Sequence, residues 1–274
     1  MKITSVQNRL IKDHLRLKEK PGKYNNGLLI EGVRLINSAI SANSSFRKCF
    51  YTETFLKSAG GGRLIDRIKV LLPDPAHYCF EVSASVMKKL SDTETPQGII
   101  VELEYVKPTL NSINFRSAPL VVVCDGIQDP GNLGSIIRIS DAAGADAVLV
   151  TEGSCNPLSA KCVRATAGSL FNLPVLVENT TDIVTFLKSG KIPLYLADAH
   201  SNHIVYKEDF TGPVAFIFGS EASGAGKILE NKADFRITIP MRGKTESLNV
   251  GMSAGICLYE VLRQRMAPLT RPLR

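Results

Sequence analysis

Three polar, Gly-rich segments are candidates for a chemical site. Each begins in or directly after an apolar run that is typical of a buried strand. Their sequences are CDGIQDPGNLGSIIR (124–138), FIFGSEASGAGK (216–227) and IPMRGKTESLNVGMSAG (239–255). Open α/β sheets bind their ligands in loops beyond the carboxyl ends of parallel strands. We therefore expect the three segments to meet at one edge of a sheet and to share one ligand.

The first segment combines a flexible turn with a cation. Gly131 and Gly134 permit close approach of the backbone, and Asn132 stands near the predicted start of a helix, where Asn is a favoured cap. Arg138 follows about one helical turn after Gly134. Two interpretations are open: an ordinary capped helix with a solvated Arg, and an Arg that contacts an anionic substrate.

The second segment nearly matches two phosphate-binding loops. Gly219 and Gly224 fit the Walker A spacing, but Ala225 stands where that motif needs Lys. A dinucleotide loop would need a third Gly where Leu229 stands. Both mismatches disfavour an NTPase or a dehydrogenase. What is left is a Gly-lined loop with one carboxylate, Glu221, which is either part of a site or solvated on a strand-to-helix turn.

The third segment precedes a long predicted helix. Ser247 and Asn249 are both good N-cap types. Small residues then follow in the first turns of the helix: Gly251, Ser253, Ala254 and Gly255. They would allow close contact with a ligand or close packing against another helix, as at a dimer interface, and the sequence does not decide between the two.

Other catalytic chemistries lack their residues. His200 and His203 lie on a polar loop with a spacing that we do not expect to bind a metal, and neither G-x-S-x-G nor H-E-x-x-H occurs. The six Cys include no C-x-x-C pair, which favours buried, reduced thiols in a cytoplasmic protein over disulfides or a zinc ribbon. We expect no metal site.

The elements that must position the three segments follow a regular order from residue 119 onward. Strands are predicted at 120–124, 147–150, 174–178, 192–198, 213–219 and 235–240. Helices are predicted at 131–145, 159–170, 181–190 and 249–265. This alternation predicts an α/β fold with a mostly parallel sheet and helices on both faces.

A smaller α/β domain is predicted over residues 1–108, before the parallel sheet. A linker over 109–118, flanked by Pro108 and Pro119, separates it from a second domain at 119–274. Its predicted helices are 4–19, 32–42 and 83–92, and its predicted strands are 27–32, 48–52 and 97–104. A length of 274 residues is compatible with two domains, and 44% hydrophobic with 22% charged residues indicates a globular chain. We expect neither a secretory signal nor a membrane span.

Positive charge is concentrated in the smaller domain. The chain has a net charge of +7, and residues 1–108 hold 17 Lys and Arg against 11 Asp and Glu. Seven of these cations fall within the first 23 residues: Lys2, Arg9, Lys12, Arg16, Lys18, Lys20 and Lys23. Their spacing of three to four residues places several on one helix face, which is either merely solvated or a surface that follows a nucleic-acid backbone.

Together, the blocks NLGSIIR (132–138), FGSEASG (218–224) and IPMRGKTESLNV (239–250) resemble the SpoU (TrmH-like) RNA ribose 2'-O-methyltransferases of the SPOUT class. The resemblance extends over about residues 119–265. The basic start and LLIEGVRLINSAI (28–40) resemble the substrate-binding domain often fused to this family, a small α/β fold related to RNA-binding ribosomal proteins.

The resemblance implies a deep trefoil knot, a bent S-adenosylmethionine held in that knot, and a homodimer. It implies a catalytic cluster of Asn132, Arg138, Glu221, Ser247 and Asn249. It also implies a cofactor pocket lined, chiefly through backbone groups, by Gly219, Ile239 and Leu248. In the family Arg138 is the proposed general base, although binding of the phosphate or oxyanion suits a guanidinium better. Glu221 would orient Asn132 or Arg138.

The expected function is therefore methylation of an RNA ribose 2'-hydroxyl in the cytoplasm. The additional basic domain favours ribosomal RNA over tRNA. A non-catalytic RNA-binding protein on the same fold is the alternative from another functional class, and the complete set of predicted catalytic residues disfavours it.

Overall fold

The computed structural model describes residues 2–21 and 26–266, so Lys23 of the predicted basic segment lies outside the described residues. The chain divides into two compact units. The first contains Met1–Lys107 and Leu158–Phe171, and the second contains Pro108–Pro157 and Asn172–Arg274. None of the described helices has the length and apolar character needed to cross a membrane.

The first unit is built on a five-stranded sheet in the order β1-β4-β3-β5-β2. Strand β5 runs antiparallel to β2 and β3, whereas the pairs β1–β4 and β3–β4 are parallel. Its elements are β1 (Lys2–Ile3), α1 (Arg9–Glu19), β2 (Gly27–Glu31), α2 (Val33–Ser41), β3 (Phe46–Tyr51), α3 (Glu53–Leu56), α4 (Gly61–Leu71), α5 (Pro75–Tyr78), β4 (Cys79–Val82), α6 (Ala84–Leu90) and β5 (Ile99–Glu104).

This unit differs from the sequence-based expectation in several elements, because β1, β4 and the helices α3, α4 and α5 were not predicted. The helix predicted from residue 4 begins only at Arg9, because Asn8 caps it by accepting the backbone N–H of Leu10 at 2.9 Å. Helix α4 was not expected, since it starts within a run of glycines. A Cβ at Gly61 would lie 1.9 Å from the carbonyl oxygen of Phe55. These glycines therefore permit close approach of α3 and α4.

A buried ion pair fastens α1 to the sheet. His14 Nε2 lies 2.5 Å from Glu102 Oε2, and its Nδ1 lies 2.6 Å from the carbonyl oxygen of Leu10. Lys48 Nζ donates to the same Glu102 oxygen at 2.8 Å. Burial opposes ionisation of Glu102, but His14 and Lys48 outweigh it and hold the pKa of this carboxyl below its ordinary value. The ion pair fixes the inner side of α1, so its outer side is presented to solvent.

The second unit is built on a six-stranded sheet in the order β11-β9-β10-β6-β7-β8. Every strand pair in it is parallel, which confirms the predicted parallel α/β sheet. The remaining elements of the chain are β6 (Leu120–Cys124), α7 (Pro130–Ala142), β7 (Ala147–Thr151), α8 (Ala160–Ala165), β8 (Val175–Glu178), α9 (Thr180–Ser189), β9 (Leu194–Ala197), β10 (Val214–Phe218), α10 (Lys227–Lys232), β11 (Phe235–Ile237) and α11 (Val250–Arg265).

Helices cover both faces of this sheet, as predicted. Apolar residues of α9 and α10 pack with alternate residues of the strands in one buried cluster, which includes Val121, Val123, Ala215 and Ile217. Helices α7 and α11 pack against each other, contact β7 and β10, and contribute nothing to that cluster. The alternation of side chains along a strand therefore places them on the opposite face.

The helix predicted over 159–170 is shorter than expected. Helix α8 ends at Ala165, and Ala167 and Gly168 have φ values of 52° and 105°, in the left-handed region that ends a helix. A Cβ at Gly168 would lie 2.5 Å from the Cβ of Ser38, so the backbone approaches a neighbouring side chain closely there. A 3₁₀ turn at Ser169–Phe171 follows.

We predict that Glu102→Gln lowers the free energy of unfolding by about 3 kcal/mol at pH 7, because it leaves the half-buried Lys48 without its counter-charge and removes the carboxylate that the buried His14 contacts. Folding lowers the pKa of Glu102, so this carboxylate stabilises the fold at pH values above the ordinary Glu pKa of about 4.3. That stabilisation is lost as the pH falls through the lowered pKa of the folded state. Urea unfolding followed by circular dichroism at several pH values measures it.

The matched control is Glu104→Gln on the same strand. Its carboxylate is more exposed and pairs with Arg47 at 2.7 Å, so a loss of only about 0.5 kcal/mol is expected. Equal losses for Glu102→Gln and Glu104→Gln, or a difference between wild type and Glu102→Gln that does not shrink in acid, would contradict the prediction.

Candidate active site

A cleft of about 930 Å³ opens at the carboxyl ends of the parallel strands in the second unit. Four stretches of chain line it: 196–200, 218–225, 236–239 and 246–248. Further lining residues come from the first turns of α11. The second and third Gly-rich segments thus border one cavity, as the position of each after a strand predicts.

A tight turn after β10 carries Glu221. The backbone N–H of Ser220 donates to the carbonyl oxygen of Gly224 at 2.9 Å, and the N–H of Gly224 donates back to Ser220 at 2.8 Å. Gly219 must lack a side chain, because a Cβ there would lie 2.3 Å from the backbone nitrogen of Ala225. The turn is therefore closed on itself and holds Glu221 at the border of the cleft.

Asp125 holds the base of this turn, and sequence reasoning missed it. Its carboxylate accepts the hydroxyl of Thr151 at 2.6 Å and the backbone N–H of Gly226 at 2.6 Å. Asp125 and Thr151 are both buried. One carboxylate thus connects the ends of β6 and β7 with the start of α10. The available signal was a carboxylate directly after the fully apolar run at 120–124.

Helix α7 is capped by Asp129 and not by Asn132, which corrects the sequence-based expectation. Asp129 Oδ1 accepts the backbone N–H groups of Gly131 at 2.6 Å and Asn132 at 3.0 Å. Pro130 occupies the first helical position, where its missing N–H costs nothing. The amide side chain of Asn132 is therefore available for another contact.

Asn249 is the cap of α11, as its residue type predicts. Its Oδ1 accepts the backbone N–H of Gly251 at 3.0 Å and of Met252 at 3.3 Å. Ser247 is not a cap: it is exposed, lines the cleft, and its carbonyl oxygen accepts the hydroxyl of Thr245 at 2.9 Å.

A hydrogen-bond network centred on Glu221 joins all three segments. Glu221 Oε1 accepts Asn132 Nδ2 at 3.0 Å, Asn249 Nδ2 at 3.0 Å and the backbone N–H of Val250 at 3.3 Å. Asn249 Nδ2 also donates to Asn132 Oδ1 at 3.0 Å. The structure thus brings together three of the five residues predicted to be catalytic.

Arg138 does not join this network. It is exposed on α7, and its guanidinium forms no hydrogen bond or ion pair with any residue that the structure describes. The predicted contact between Glu221 and Arg138 is therefore absent from the described residues, whereas the predicted contact between Glu221 and Asn132 is present. The catalytic roles of these residues stay predictions.

The small residues of α11 divide between packing within the chain and lining the cleft. A Cβ at Gly255 would lie 2.8 Å from Ile139 Cδ1, and one at Gly251 would lie 3.5 Å from Ser135 Cβ, so these glycines let α11 pack on α7 of the same chain. Ser253 instead lines the cleft. Helix packing and access to a ligand thus use different residues of one helix.

The charges in the cleft are mainly carboxylates. Asp198 accepts the backbone N–H of His200 at 2.9 Å and Arg236 Nη1 at 3.0 Å. Burial opposes ionisation of Asp198, but these two donors outweigh it and its pKa lies below the ordinary value. The ion pair with Asp198 balances the positive charge of Arg236. Three further carboxylates line the cleft, those of Glu221, Glu230 and Glu246.

The cleft fits S-adenosylmethionine, the cofactor that the resemblance implies. Gly219, Ile239 and Leu248, the predicted cofactor residues, all line it. Among the described residues, nothing accepts the backbone N–H groups of Ile239 and Leu248, so both can serve a ligand. Burial raises the pKa of Cys257 in the wall to about 12, and its protonated thiol is a poor nucleophile toward a methyl donor.

We predict that Asp125→Ala destabilises the second unit by about 2 kcal/mol, because the Gly226 N–H and the Thr151 hydroxyl lose a buried charged acceptor. Amide hydrogen exchange over residues 219–226 should accelerate. Thr151→Val is the matched control: it keeps the bond to Gly226, and a loss of about 1 kcal/mol with little change in exchange is expected. Unchanged exchange in Asp125→Ala would refute the anchoring role.

Comparison with known families gives two matches that cover most of the chain. The model of the SpoU rRNA Methylase family matches residues 119–259. A model described as the MRM3-like substrate binding domain matches residues 8–101. The first match includes all three Gly-rich segments up to the early turns of α11.

Two curated relatives align over nearly their whole length. The chain is 31% identical over 261 residues to the 23S rRNA (guanosine(2553)-2'-O)-methyltransferase RlmP of Bacillus subtilis, covering 94% of this chain and 98% of that protein. It is 30% identical over 251 residues to the 23S rRNA (guanosine-2'-O-)-methyltransferase RlmB of Vibrio cholerae, covering 87% and 98%.

Solved structures agree with these alignments. An rRNA methyltransferase from Sinorhizobium meliloti, crystallised with S-adenosylmethionine bound, superposes with a TM-score of 0.84 at 26% identity and covers 97% of this chain and 99% of its own. The fold, the hydrogen-bond network that joins the three segments, and the matches over both parts of the chain lead to one assignment: the chain belongs to the SpoU rRNA methylase family.

Proposed function

We propose that this enzyme transfers a methyl group from S-adenosylmethionine to the 2'-hydroxyl of a ribose in ribosomal RNA. The observation that carries the proposal is the network of Glu221, Asn132 and Asn249 at the border of a cleft that fits the cofactor. The relatives named as guanosine 2'-O-methyltransferases of 23S rRNA support that RNA as the substrate.

The residues around the cleft supply position and electrostatics. Backbone groups at Gly219, Ile239 and Leu248 would hold the cofactor. When bound, it supplies a methyl group that its positively charged sulfur already activates. Fixing two reactants in near-attack geometry lowers a barrier by as much as ~7–11 kcal/mol. The closed turn at Glu221 and the capped starts of α7 and α11 give the rigid frame that such positioning requires.

Arg138 binds the RNA in this proposal. A guanidinium can contact a phosphate through two parallel hydrogen bonds and can stabilise negative charge on the attacking oxygen. Its exposure and the lack of a partner among the described residues leave all its donors available.

A homodimer is the assembly we propose, and the surface of α11 supports it. Met252 and Tyr259 are seven residues apart on this helix, hence on one face, and are 67% and 49% exposed. A second copy would remove this apolar surface from water.

Sedimentation equilibrium should show a dimer, and a monomer at micromolar concentration would contradict the proposed homodimer. The trefoil knot implied by the family resemblance stays a prediction.

The first unit supplies the sequence-independent part of RNA binding in this proposal. Arg9, Lys12, Arg16 and Lys20 are exposed and recur along one face of α1 and its end. Lys18 is used differently: its Nζ donates to the carbonyl oxygen of Ser91 at 2.5 Å and pairs with Asp92 at 3.1 Å. The match to a substrate binding domain supports this role, and an rRNA substrate supports a cytoplasmic location.

Arg138→Ala should abolish methyl transfer while leaving the fold and cofactor affinity intact, because Arg138 contacts neither the Glu221 network nor the cleft lining. Incorporation of labelled methyl groups into rRNA measures the first effect, and calorimetry with S-adenosylmethionine measures the second. Near-normal methylation by the variant would refute the role. A wild-type chain that does not bind the cofactor would favour a non-catalytic RNA-binding protein.

Simultaneous substitution of Arg9, Lys12 and Arg16 by Gln should weaken RNA binding. The slope of log K against log salt concentration should become shallower by about two to three, because each lost phosphate contact removes about 0.7–0.9 from its magnitude. Filter binding at several salt concentrations measures both. Cofactor affinity should not change.

A matched control for this variant replaces three exposed lysines of the second unit with Gln: Lys191, Lys227 and Lys232. It removes the same charge from the chain but leaves α1 intact. Equal losses of RNA affinity in the two triple variants would show that only net charge matters and would contradict the assignment of α1 as the RNA-binding face.

A further inference from the structure

We infer that Cys49 and Cys79, which stand opposite each other on β3 and β4, form a reversible redox site for hydroperoxides. Cys79 is the thiol that the peroxide oxidises, and Cys49 is the thiol that then closes a disulfide with it. All six Cys lie within the described residues, and each is an unbridged thiol in the structure. The site lies in the first unit and uses neither the cleft nor the three Gly-rich segments, so it is independent of the proposed methyl transfer.

The register of the sheet brings the two thiols together. Strands β3 and β4 are parallel, and Cys49 is the direct partner of Cys79 in their register. Side chains at paired positions point to the same face of a sheet, and a hydrogen bond joins the two thiols. Neighbouring strands lie about 4.8 Å apart, and disulfides span Cα–Cα distances of about 4.4–6.8 Å. A disulfide can therefore form with only a local adjustment of the backbone.

Access to solvent distinguishes the two thiols. Cys49 is fully buried, whereas Cys79 is partly exposed at the first residue of β4. A small oxidant in solution therefore reaches Cys79 first, and Cys49 reacts only with the sulfur beside it. An accessible thiol next to a second, resolving Cys is the arrangement that oxidants convert to a disulfide.

The surroundings of Cys79 favour its ionised form. A hydrogen bond from the Cys49 thiol and the cation of Lys69 lower the pKa of Cys79. Burial and the carboxylate of Asp66, which pairs with Lys69 at 2.9 Å, oppose this shift but do not cancel it. The same hydrogen bond and burial raise the pKa of Cys49 well above its ordinary value. Because the thiolate is the nucleophile, Cys79 attacks the peroxide while Cys49 keeps its proton.

The other cysteines do not combine these features. Cys257 lines the cleft, but burial raises its pKa to about 12 and keeps it protonated. Cys155 is partly exposed like Cys79, yet it lies outside the strands of both sheets. Among the described strands, Cys49 and Cys79 are the one pair of Cys in register with each other.

The reaction balances with one hydrogen peroxide for each disulfide. The Cys79 thiolate attacks one peroxide oxygen, the O–O bond breaks, and the departing hydroxide takes up the proton that Cys79 released on ionisation. The sulfur of Cys49 then attacks the sulfenic acid sulfur of Cys79, and the S–O bond breaks. The thiol proton of Cys49 leaves with that hydroxide. Two thiols thus lose two electrons and two protons, and the peroxide is reduced to two molecules of water.

The disulfide keeps this oxidation reversible. A sulfenic acid without a thiol beside it proceeds with more peroxide to a sulfinic acid, which thiol reductants do not restore. A bridge between direct neighbours of a sheet is strained, and strain makes a disulfide easier to reduce. The pair therefore returns to two thiols when a reductant is present, and Cys79 is protected from irreversible oxidation.

Peptide mapping of the full wild-type chain tests the site directly. Trypsin places the two Cys in separate peptides, 49–57 and 70–88. After treatment of the folded chain with stoichiometric hydrogen peroxide at pH 7 and alkylation of the remaining thiols, these two peptides should be found linked, and dithiothreitol should separate them. Without peroxide, iodoacetamide should modify Cys79 at least about ten times faster than Cys155.

Three variants separate the roles of the two thiols. Cys49→Ser keeps a hydroxyl donor beside Cys79 but removes the resolving thiol, so dimedone should label the sulfenic acid of Cys79 and excess peroxide should convert it to sulfinic acid. Cys79→Ser should abolish the linkage. Cys155→Ser changes the other partly exposed Cys and is the matched control, so the yield of linked peptides should not change.

Because the linkage is measured in the wild-type chain, a variant that fails to fold does not obscure the result, and circular dichroism identifies such a variant. Three outcomes would each overturn the inference: no linked peptides at a peroxide concentration that oxidises Cys155, equal alkylation rates for Cys79 and Cys155, or equal amounts of Cys79 sulfinic acid in wild type and Cys49→Ser. A linkage that forms equally fast in urea would also overturn it, since such a linkage would not depend on the register of β3 and β4.

Discussion

The arrangement of the site depends on one carboxylate oxygen. Glu221 Oε1 accepts a side-chain amide from the start of α7, a second from the cap of α11, and the first backbone N–H of α11. Both helices thus contribute a donor from their N-terminal ends to the same carboxylate oxygen. Three hydrogen bonds to one carboxylate oxygen therefore link three separate segments of the chain in one arrangement.

This constraint explains why Asp129 caps α7 and Asn249 caps α11. If Asn132 capped α7, its amide would be used within its own helix and could not reach Glu221. Asp129 accepts the α7 N–H groups instead, and Pro130 removes one donor that would need an acceptor. Asn249 performs both tasks because its oxygen faces its helix and its nitrogen faces the network. A polar network whose members are all satisfied is rigid, and such preorganisation favours a reaction that depends on alignment.

Local sequence signals predicted the elements better than the contacts between them. The apolar run at 120–124 and the alternation after it predict the parallel sheet, and Asn249 predicts the start of α11, because both follow from neighbours in the sequence. The choice between Asp129 and Asn132 as the cap depends on Glu221, 89 residues away, and is not visible locally. Helix α4 was missed for the same reason, since the need for Gly61 arises from close approach to Phe55.

The uneven distribution of charge follows from the two ligands of the proposed reaction. RNA is an anion that basic surfaces attract over long distances, whereas a sulfonium cofactor is a cation that the same surface would repel. Residues 109–274 hold 16 Lys and Arg against 15 Asp and Glu, and the cleft has carboxylates and a neutralised Arg236. Placing the excess positive charge on a separate unit satisfies both requirements. The contact between His14 and Glu102 lies in the first unit and holds the basic helix α1 on the sheet of that unit. It therefore supports the proposed RNA-binding surface, although it is not part of the site in the second unit.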